Sequence, residues 1–246
     1  MKQVKKRIDV LLVEKGLAES REKAKRMLMA GQVRIGTEVI SKPGAVVAED
    51  ARLAVERGLP YVSRGGLKLE RALEAFKIEV RGKTALDVGA STGGFTDCLL
   101  QRGAAKVYAV DVGTDQLHYK LRQDRRVVCM EGVNAHYDFA LPEAVGIVTA
   151  DVSFISLTKV LPQALKHLTP GGTLVCLVKP QFEAGREQVG RGGVVKDPRT
   201  HGEVLSSFLV WAIGQRLSFR GLTPSPIEGD KGNREFLAAF ERPLGG

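Results

Sequence analysis

Cysteine is scarce in this chain. There are three in 246 residues, Cys98, Cys129 and Cys176, and none is close to another in sequence. Each sits in an apolar run, which predicts reduced, buried thiols in a cytoplasmic protein rather than a disulfide framework or a zinc site. Histidine is equally rare, and His118, His136, His167 and His201 have no spacing suited to a metal. Long hydrophobic runs are missing. Phe208–Ile213 is among the longest, far below the ~20 residues a spanning helix needs. The basic stretch Met1 to Arg7 is not followed by an apolar core or a small-residue cleavage site, so no signal peptide is expected. Internal repeats and low-complexity tracts are absent as well. These absences leave a globular chain with no expected metal and no membrane span.

What the chain does have is positive charge, a net +9, with an apolar fraction of 43% that suffices for a core. Such a balance suggests an anionic partner, nucleic acid first and an anionic membrane surface second. The charge is uneven. Residues 1–58 hold 13 basic and 8 acidic side chains, an excess of five within under a quarter of the chain. Arg7 to Ala30 has helical periodicity, with Gly16 reading as a stop and Ser20 as the cap of a second helix. Lys23 stands where a capping box wants Glu, so no box is expected. Short strands follow at 31–36, 39–40 and 51–55. Arg7, Arg21, Lys23, Lys25, Arg26 and Arg34 are candidates to line one face and meet phosphates, contacts that give affinity but little sequence readout. The plainer alternative is a solvated charged face. The small unit ends at Gly58, with a joint over 59–66.

The stretch Ala85-Leu86-Asp87-Val88-Gly89-Ala90-Ser91-Thr92-Gly93-Gly94-Phe95 organises the remainder. It reads as a buried parallel strand, a tight turn and the start of a helix. Glycines let a ligand approach the backbone, and the free N–H groups of the next helix add an electropositive rim. The spacing D-x-G-x-x-x-G-G is not the G-x-G-x-x-G of NAD sites. It resembles the first-strand loop of S-adenosylmethionine (SAM) methyltransferases. Asp87, Gly89, Ala90, Ser91, Gly93, Gly94 and Phe95 are therefore candidate cofactor contacts. A turn that merely needs glycine remains the structural alternative.

From there the chain alternates. Strands are predicted over 107–111, 127–130, 147–150, 173–178, 219–222 and 235–240, and helices over 116–122, 157–168 and 204–215. A further helix runs to Phe76, capped by Ser63 or Gly66, with Lys68 in its first turn. Alternation implies a doubly wound, mostly parallel sheet whose ligands bind at strand carboxyl ends. Asp87, Asp111, Asp151 and Lys179 all stand at such ends. Asp111 lies roughly 20 residues past the glycine loop, the offset at which an acid meets cofactor ribose hydroxyls. The Gly-rich segment 185–198 reads equally as a lid or as a surface loop.

Lysine is an unusual residue to end a buried strand, as Lys179 does. Burial and a nearby cation such as Lys68 turn an ammonium into a usable base, and Asp151 is placed to hold both lysines. A hydroxyl attacking an electrophilic methyl must lose its proton, and a lysine base accepts it. The competing reading is a buried Lys–Asp ion pair, which stability only weakly justifies. Asp151-Val152-Ser153-Phe154 is not the Asn/Asp-Pro-Pro-Tyr/Phe of amino-nitrogen methylases, and no Pro-Cys stands where carbon-5 pyrimidine methylases carry a nucleophile.

Asp9 to Gly36 resembles the S4 RNA-binding domain. The whole chain is similar to the TlyA family, often labelled hemolysin A, which joins an S4 domain to an FtsJ/RrmJ-like methyltransferase. The matching blocks are 62–68, the glycine loop, 150–157, 178–183 and 232–235. The resemblance implies an α/β fold: a Rossmann-like sheet of about seven strands with the last antiparallel, over residues 67–246, behind a small α+β RNA-binding domain over residues 1–58. It implies a Lys-Asp-Lys-Glu tetrad on Lys68, Asp151, Lys179 and Glu235, with Lys179 as base and the others orienting the hydroxyl and tuning it. It implies SAM as cofactor, with Asp151 also at the cofactor, and cytidine 2′-O methylation of ribosomal RNA in ribosomal subunits, with Arg64 adding to the RNA contacts. Gly113-Thr114-Asp115-Gln116 departs from the Gly-Tyr of many relatives, which puts the local nucleoside contacts in doubt. A membrane-active hemolysin and a non-catalytic RNA-binding protein are the alternatives.

Overall fold

A computed structural model describes residues 4–29, 31–55 and 59–244. The chain divides into two compact units, Met1–Pro60 and Tyr61–Gly246. The first contains β1 (Lys5–Arg7), α1 (Ile8–Glu14), α2 (Arg21–Met29), β2 (Val33–Ile35), β3 (Glu38–Val39), β4 (Val46–Ala48) and β5 (Leu53–Val55). Ile8 and Leu12 of α1 meet Ala24, Met27 and Leu28 of α2 and Val33 of β2 in one small core. Ser20 Oγ accepts from Lys23 N at 3.2 Å, the expected cap. β1 pairs with β4, and β2 lies between β3 and β5, all antiparallel. β1 and β4 were not expected, because three residues are too few for alternation to register. Ala30 and Gly58, the expected ends of the helical stretch and of the unit, lie outside the described residues.

The second unit runs α3 (Gly65–Ala75), β6 (Thr84–Val88), α4 (Gly94–Gln101), β7 (Lys106–Asp111), α5 (Tyr119–Arg122), β8 (Val127–Glu131), β9 (Val145–Ala150), α6 (Leu157–Lys166), β10 (Leu168–Val178), α7 (Pro180–Glu183), α8 (Pro198–Gly214), β11 (Ser218–Pro224) and β12 (Phe236–Glu241). Its seven-stranded sheet has the order β8-β7-β6-β9-β10-β12-β11, with β12 antiparallel to both its neighbours and the first five strands parallel. Alternate strand residues face opposite helix layers. Leu86, Val148, Leu174, Cys176 and Phe240 pack against α6 and α8. Ala85, Val107, Ile147, Val175 and Leu237 pack against α3, α4 and α5. Strand order reverses between β6 and β9, and that switch point is where open α/β sheets bind ligands.

Several expectations are corrected here. Residues 61–66 are not a free joint. Tyr61 is buried, and a Cβ on Gly66 would stand 2.2 Å from its ring, so the segment folds back onto α3. Neither Ser63 nor Gly66 caps α3, whose N-cap is Arg64 without a side-chain bond. Cys129 is exposed, because β8 is an edge strand, whereas Cys98 and Cys176 are buried. The expected helix from Gln116 begins only at Tyr119, because Glu131 accepts from the backbone N–H groups of Asp115, Gln116 and Leu117. Helix α8 begins six residues early, at Pro198, where Asp197 caps it through Arg199 N at 3.0 Å. Among the described residues no helix is long and apolar enough to cross a membrane.

Candidate active site

Two cavities meet at the carboxyl ends of β6 and β9. The larger, about 590 Å3, is walled by the glycine loop, the N-terminal turn of α3, Lys179 and the 227–235 segment. The smaller, about 390 Å3, lies between β6, β7 and the segment after β9. Gly89, Ser91, Asp151, Ser153 and Phe154 line both and form their common border.

Four ionisable side chains converge on the larger cavity. Lys68 Nζ donates to Glu235 Oε2 at 2.5 Å. Lys179 Nζ lies 2.6 Å from Asp151 Oδ1 and donates to Ser153 Oγ at 2.9 Å. This buried Asp151 oxygen has no aligned hydrogen-bond donor, so the contact is an ion pair. Lys68, Lys179 and Glu235 are buried. Asp151 was expected to hold both lysines. Instead each lysine has its own acid, because Glu235, one residue ahead of β12, reaches Lys68 on α3. Burying three of these charges and half-burying that of Asp151 is costly, and two close pairs offset that cost. Lys179 Nζ also stands 5.8 Å from the Phe182 ring centroid.

The glycine loop is tight for two reasons. Gly89 has φ +79, and a Cβ there would stand 2.5 Å from Asp151 O. The loop therefore touches the segment that carries the acid. Gly94 begins α4, and a Cβ on it would stand 2.3 Å from Ser63 Oγ and 2.8 Å from Gly66 N. The close approach of α3 and α4 that brings Lys68 to the cavity needs a bare Cα at 94. Ala90, Ser91, Gly94 and Phe95 line the larger cavity as well.

Two of the expected cofactor contacts face elsewhere. Asp87 lines neither cavity. It is fully buried, accepting from Thr96 Oγ1 at 2.7 Å and Thr149 Oγ1 at 2.8 Å, so it braces β6 against α4 and β9. Burial pushes its carboxyl up to about 6, against the pull of the two threonine bonds. Gly93 lines neither cavity and faces Leu117 and Leu121. Asp111 does line the smaller cavity, where it accepts from Ser91 N at 2.8 Å and Gly113 N at 2.7 Å. Each carboxylate oxygen keeps further lone pairs for a ligand.

Sequence reasoning missed three residues at the site. Ser153 receives the Lys179 bond. Phe154, at φ +64 and 92% exposed, stands at the border of both cavities with its ring 5.1 Å from that of Phe182. Gln181 lines the larger cavity with a buried Oε1 that accepts no hydrogen bond. Adjacency to Asp151 and Lys179 was the one available signal for each.

In the first unit, Arg7 and Arg21 are exposed but turn inward at their heads onto buried Asp9, at 3.0 and 2.9 Å. The Arg7 and Arg21 guanidiniums hold that carboxyl well below the usual range, against the opposing effect of burial. Lys25 pairs with Glu22 at 2.7 Å, Arg34 donates to Thr37 O at 3.3 Å, and Lys23 and Arg26 are exposed. Arg64 is exposed at the edge of the larger cavity.

Residues 61–242 match the family model described as FtsJ-like methyltransferase, and residues 6–53 match the S4 domain. YqxC of Bacillus subtilis (strain 168) is 52% identical over 246 residues, spanning 97% of this chain and 86% of its own. The 16S/23S rRNA (cytidine-2'-O)-methyltransferase TlyA of Mycobacterium tuberculosis (strain CDC 1551 / Oshkosh) is 46% identical over 239 residues, spanning 94% of this chain and 88% of its own. A Streptococcus thermophilus protein solved under the label hemolysin superposes with a TM-score of 0.74 at 49% identity, over 97% of this chain and 89% of that one.

Proposed function

The chain belongs to the FtsJ-like methyltransferase family, in its TlyA branch with an S4 domain ahead of the catalytic unit, and from that premise we propose that it methylates the ribose 2′-hydroxyl of cytidine in ribosomal RNA. In this reading residues 1–58 bind RNA and the unit that begins at Tyr61 carries the chemistry. The observation that carries it is the convergence of two lysine–acid pairs on the larger of two adjoining cavities, with Asp151 on their shared border.

The smaller cavity fits the adenosine end of SAM, and the shared border at Gly89 and Ser91 leads its methionine end toward Ala90, Gly94 and Phe95. Val112, Val133 and Ala135 offer apolar walls for a purine, and Asp111 stands at the strand end where ribose hydroxyls are held. Gly89 keeps the backbone open between the two cavities. Bound there, SAM supplies an electrophilic methyl group. The larger cavity then takes the acceptor nucleoside. Exposed Phe154 beside Phe182 offers a face to a base turned out of its stack, and Gln181 Oε1, which accepts no hydrogen bond, offers a polar contact.

Lys179 Nζ, once it has released the proton it holds in the ion pair with Asp151, takes the proton from the 2′-hydroxyl as that oxygen attacks the methyl carbon. Asp151 and Ser153 then stabilise the ammonium that results. Lys68, neutralised by Glu235, orients the hydroxyl from the opposite wall. A positioned base of this kind contributes roughly 100- to 10,000-fold in rate. RNA is held by exposed Lys23 and Arg26 in the first unit and by Arg64 at the cavity edge, contacts that a phosphate backbone would meet.

The test is transfer of label from SAM to unmodified ribosomal subunits, followed by alkaline hydrolysis. Label in alkali-resistant dinucleotides beginning with cytidine supports the proposal. Label on bases, or none, overturns it.

A further inference from the structure

The Gly-rich segment 185–198, legible in sequence only as lid or surface loop, is held to α8 by Gln188 on Glu203 and, nearer the cavity, by Asn233. Asn233, 3% exposed, uses both ends of its carboxamide on this segment. Its Oδ1 accepts from Val195 N at 3.1 Å, and its Nδ2 donates to Gly193 O at 2.9 Å. Val195 is itself buried, and its carbonyl lies 3.0 Å from His201 Nε2, so that ring nitrogen carries the hydrogen. His201, from α8, packs edge-on against Phe236 at the start of β12, with centroids 5.6 Å apart. Within the loop, Gly190 N donates to Val194 O at 3.1 Å and Gly193 N to Gly190 O at 3.0 Å. The outcome is a folded hairpin rather than an open flap. Gly193 and Asn233 both line the larger cavity, and Asn233 stands two residues before Glu235.

We propose that residues 190–195 are a fixed wall of the acceptor cavity, and that Asn233 is the positioning residue that holds this wall in register with Glu235. A buried carboxamide that satisfies two backbone groups on a segment forty residues away in the chain fixes that segment in place. One that does so, next to a member of the tetrad, ties the shape of the cavity to the placement of the Lys68–Glu235 pair. Asn233 acts through the loop and takes no proton. The acceptor half of this inference rests on the RNA methyltransferase reading, whereas the latch itself does not.

The latch is therefore tested without RNA. In the wild-type chain the Val195 amide is expected to exchange its hydrogen at least about tenfold more slowly than a free loop amide, as a closed hydrogen bond to a buried acceptor requires. Exchange at the free rate overturns the latch. Two variants then separate the halves. Asn233→Asp keeps the acceptor for Val195 N and loses the donor to Gly193 O, and Asn233→Ala loses both. Trypsin is expected to cut after exposed Arg191 faster in Asn233→Asp than in wild type, and faster again in Asn233→Ala, with the unfolding midpoint recorded alongside. The KM for RNA is expected to rise about tenfold, the loss of one such bond, with the dissociation constant for SAM unchanged. Faster cutting with an unchanged KM would overturn the acceptor half and leave the latch standing. Unchanged cutting in a folded variant overturns both. Wild-type protein that transfers no methyl to RNA marks failure of the underlying reading instead.

Discussion

Lys179 and Asp151 meet at 2.6 Å although helix α6 and strand β10 separate them in the chain. Each is the first residue past a strand of one parallel pair, β9 and β10, whose register sets Cys176 beside Ala150. The contact is thus a property of strand length and pairing.

Lys179→Ala is expected to lower the rate of methyl transfer to RNA by roughly 100- to 10,000-fold, the range of a general base. SAM affinity, read by calorimetry, should hold, since Lys179 lines the larger cavity and not the smaller. A variant that loses SAM binding in step with its rate would point to collapse of the site instead.

Phe154→Ala should spare the fold and harm the substrate. The ring is 92% exposed, so the melting temperature is expected to stay within about 2 °C, the reach of a surface substitution. Loss of base stacking, worth about 1–3 kcal/mol, should cut kcat/KM for RNA by about 5- to 150-fold. Equal kinetics in variant and wild type would remove the aromatic face from the account.

Asp87 makes stability depend on pH. Its carboxyl is pushed up to about 6 in the fold, against about 4 in an unfolded chain. The folded state therefore binds a proton more tightly between those values. The stability this contributes is fully present below pH ~4 and is lost as pH rises through about 6. Asp87→Asn cannot titrate. The stability of wild type relative to this variant should fall between pH 4 and 7, measured by thermal midpoints of both proteins. Parallel curves would contradict the assignment.

Gly89→Ala tests the closeness of the loop to Asp151. The new Cβ would stand 2.5 Å from Asp151 O at a φ of +79, so a destabilisation of roughly 1–3 kcal/mol is expected from strain. Chemical denaturation reads it directly. Substitution at Gly82, at φ +75 but with nothing within 4 Å of the added atom, should cost less.

Much of this was legible because parallel strands announce themselves. Val107 to Asp111 and Ile147 to Asp151 are apolar runs that end in acids, and the fold places those ends together. What stayed hidden depended on which way a side chain turns. Asp87 ends its run just as Asp151 does, yet its carboxyl turns into the sheet toward Thr96 and Thr149 rather than into a cavity. Gly93 and Gly94 are neighbours with different tasks, one facing Leu121 and the other Ser63. Lys68 and Glu235 pair across most of the chain, and only the packing of α3 beside β12 reveals it. Phe154 stands exposed on a left-handed backbone, which no residue pattern announced.

The most direct measurement uses two RNAs that differ in one atom. Labelled transfer is compared between an RNA with cytidine at the mapped position and the same RNA with deoxycytidine there. Transfer to the first and none to the second is the predicted result. Equal labelling of both would mean that the methyl group never went to the 2′-oxygen, and the two lysine–acid pairs would need another purpose.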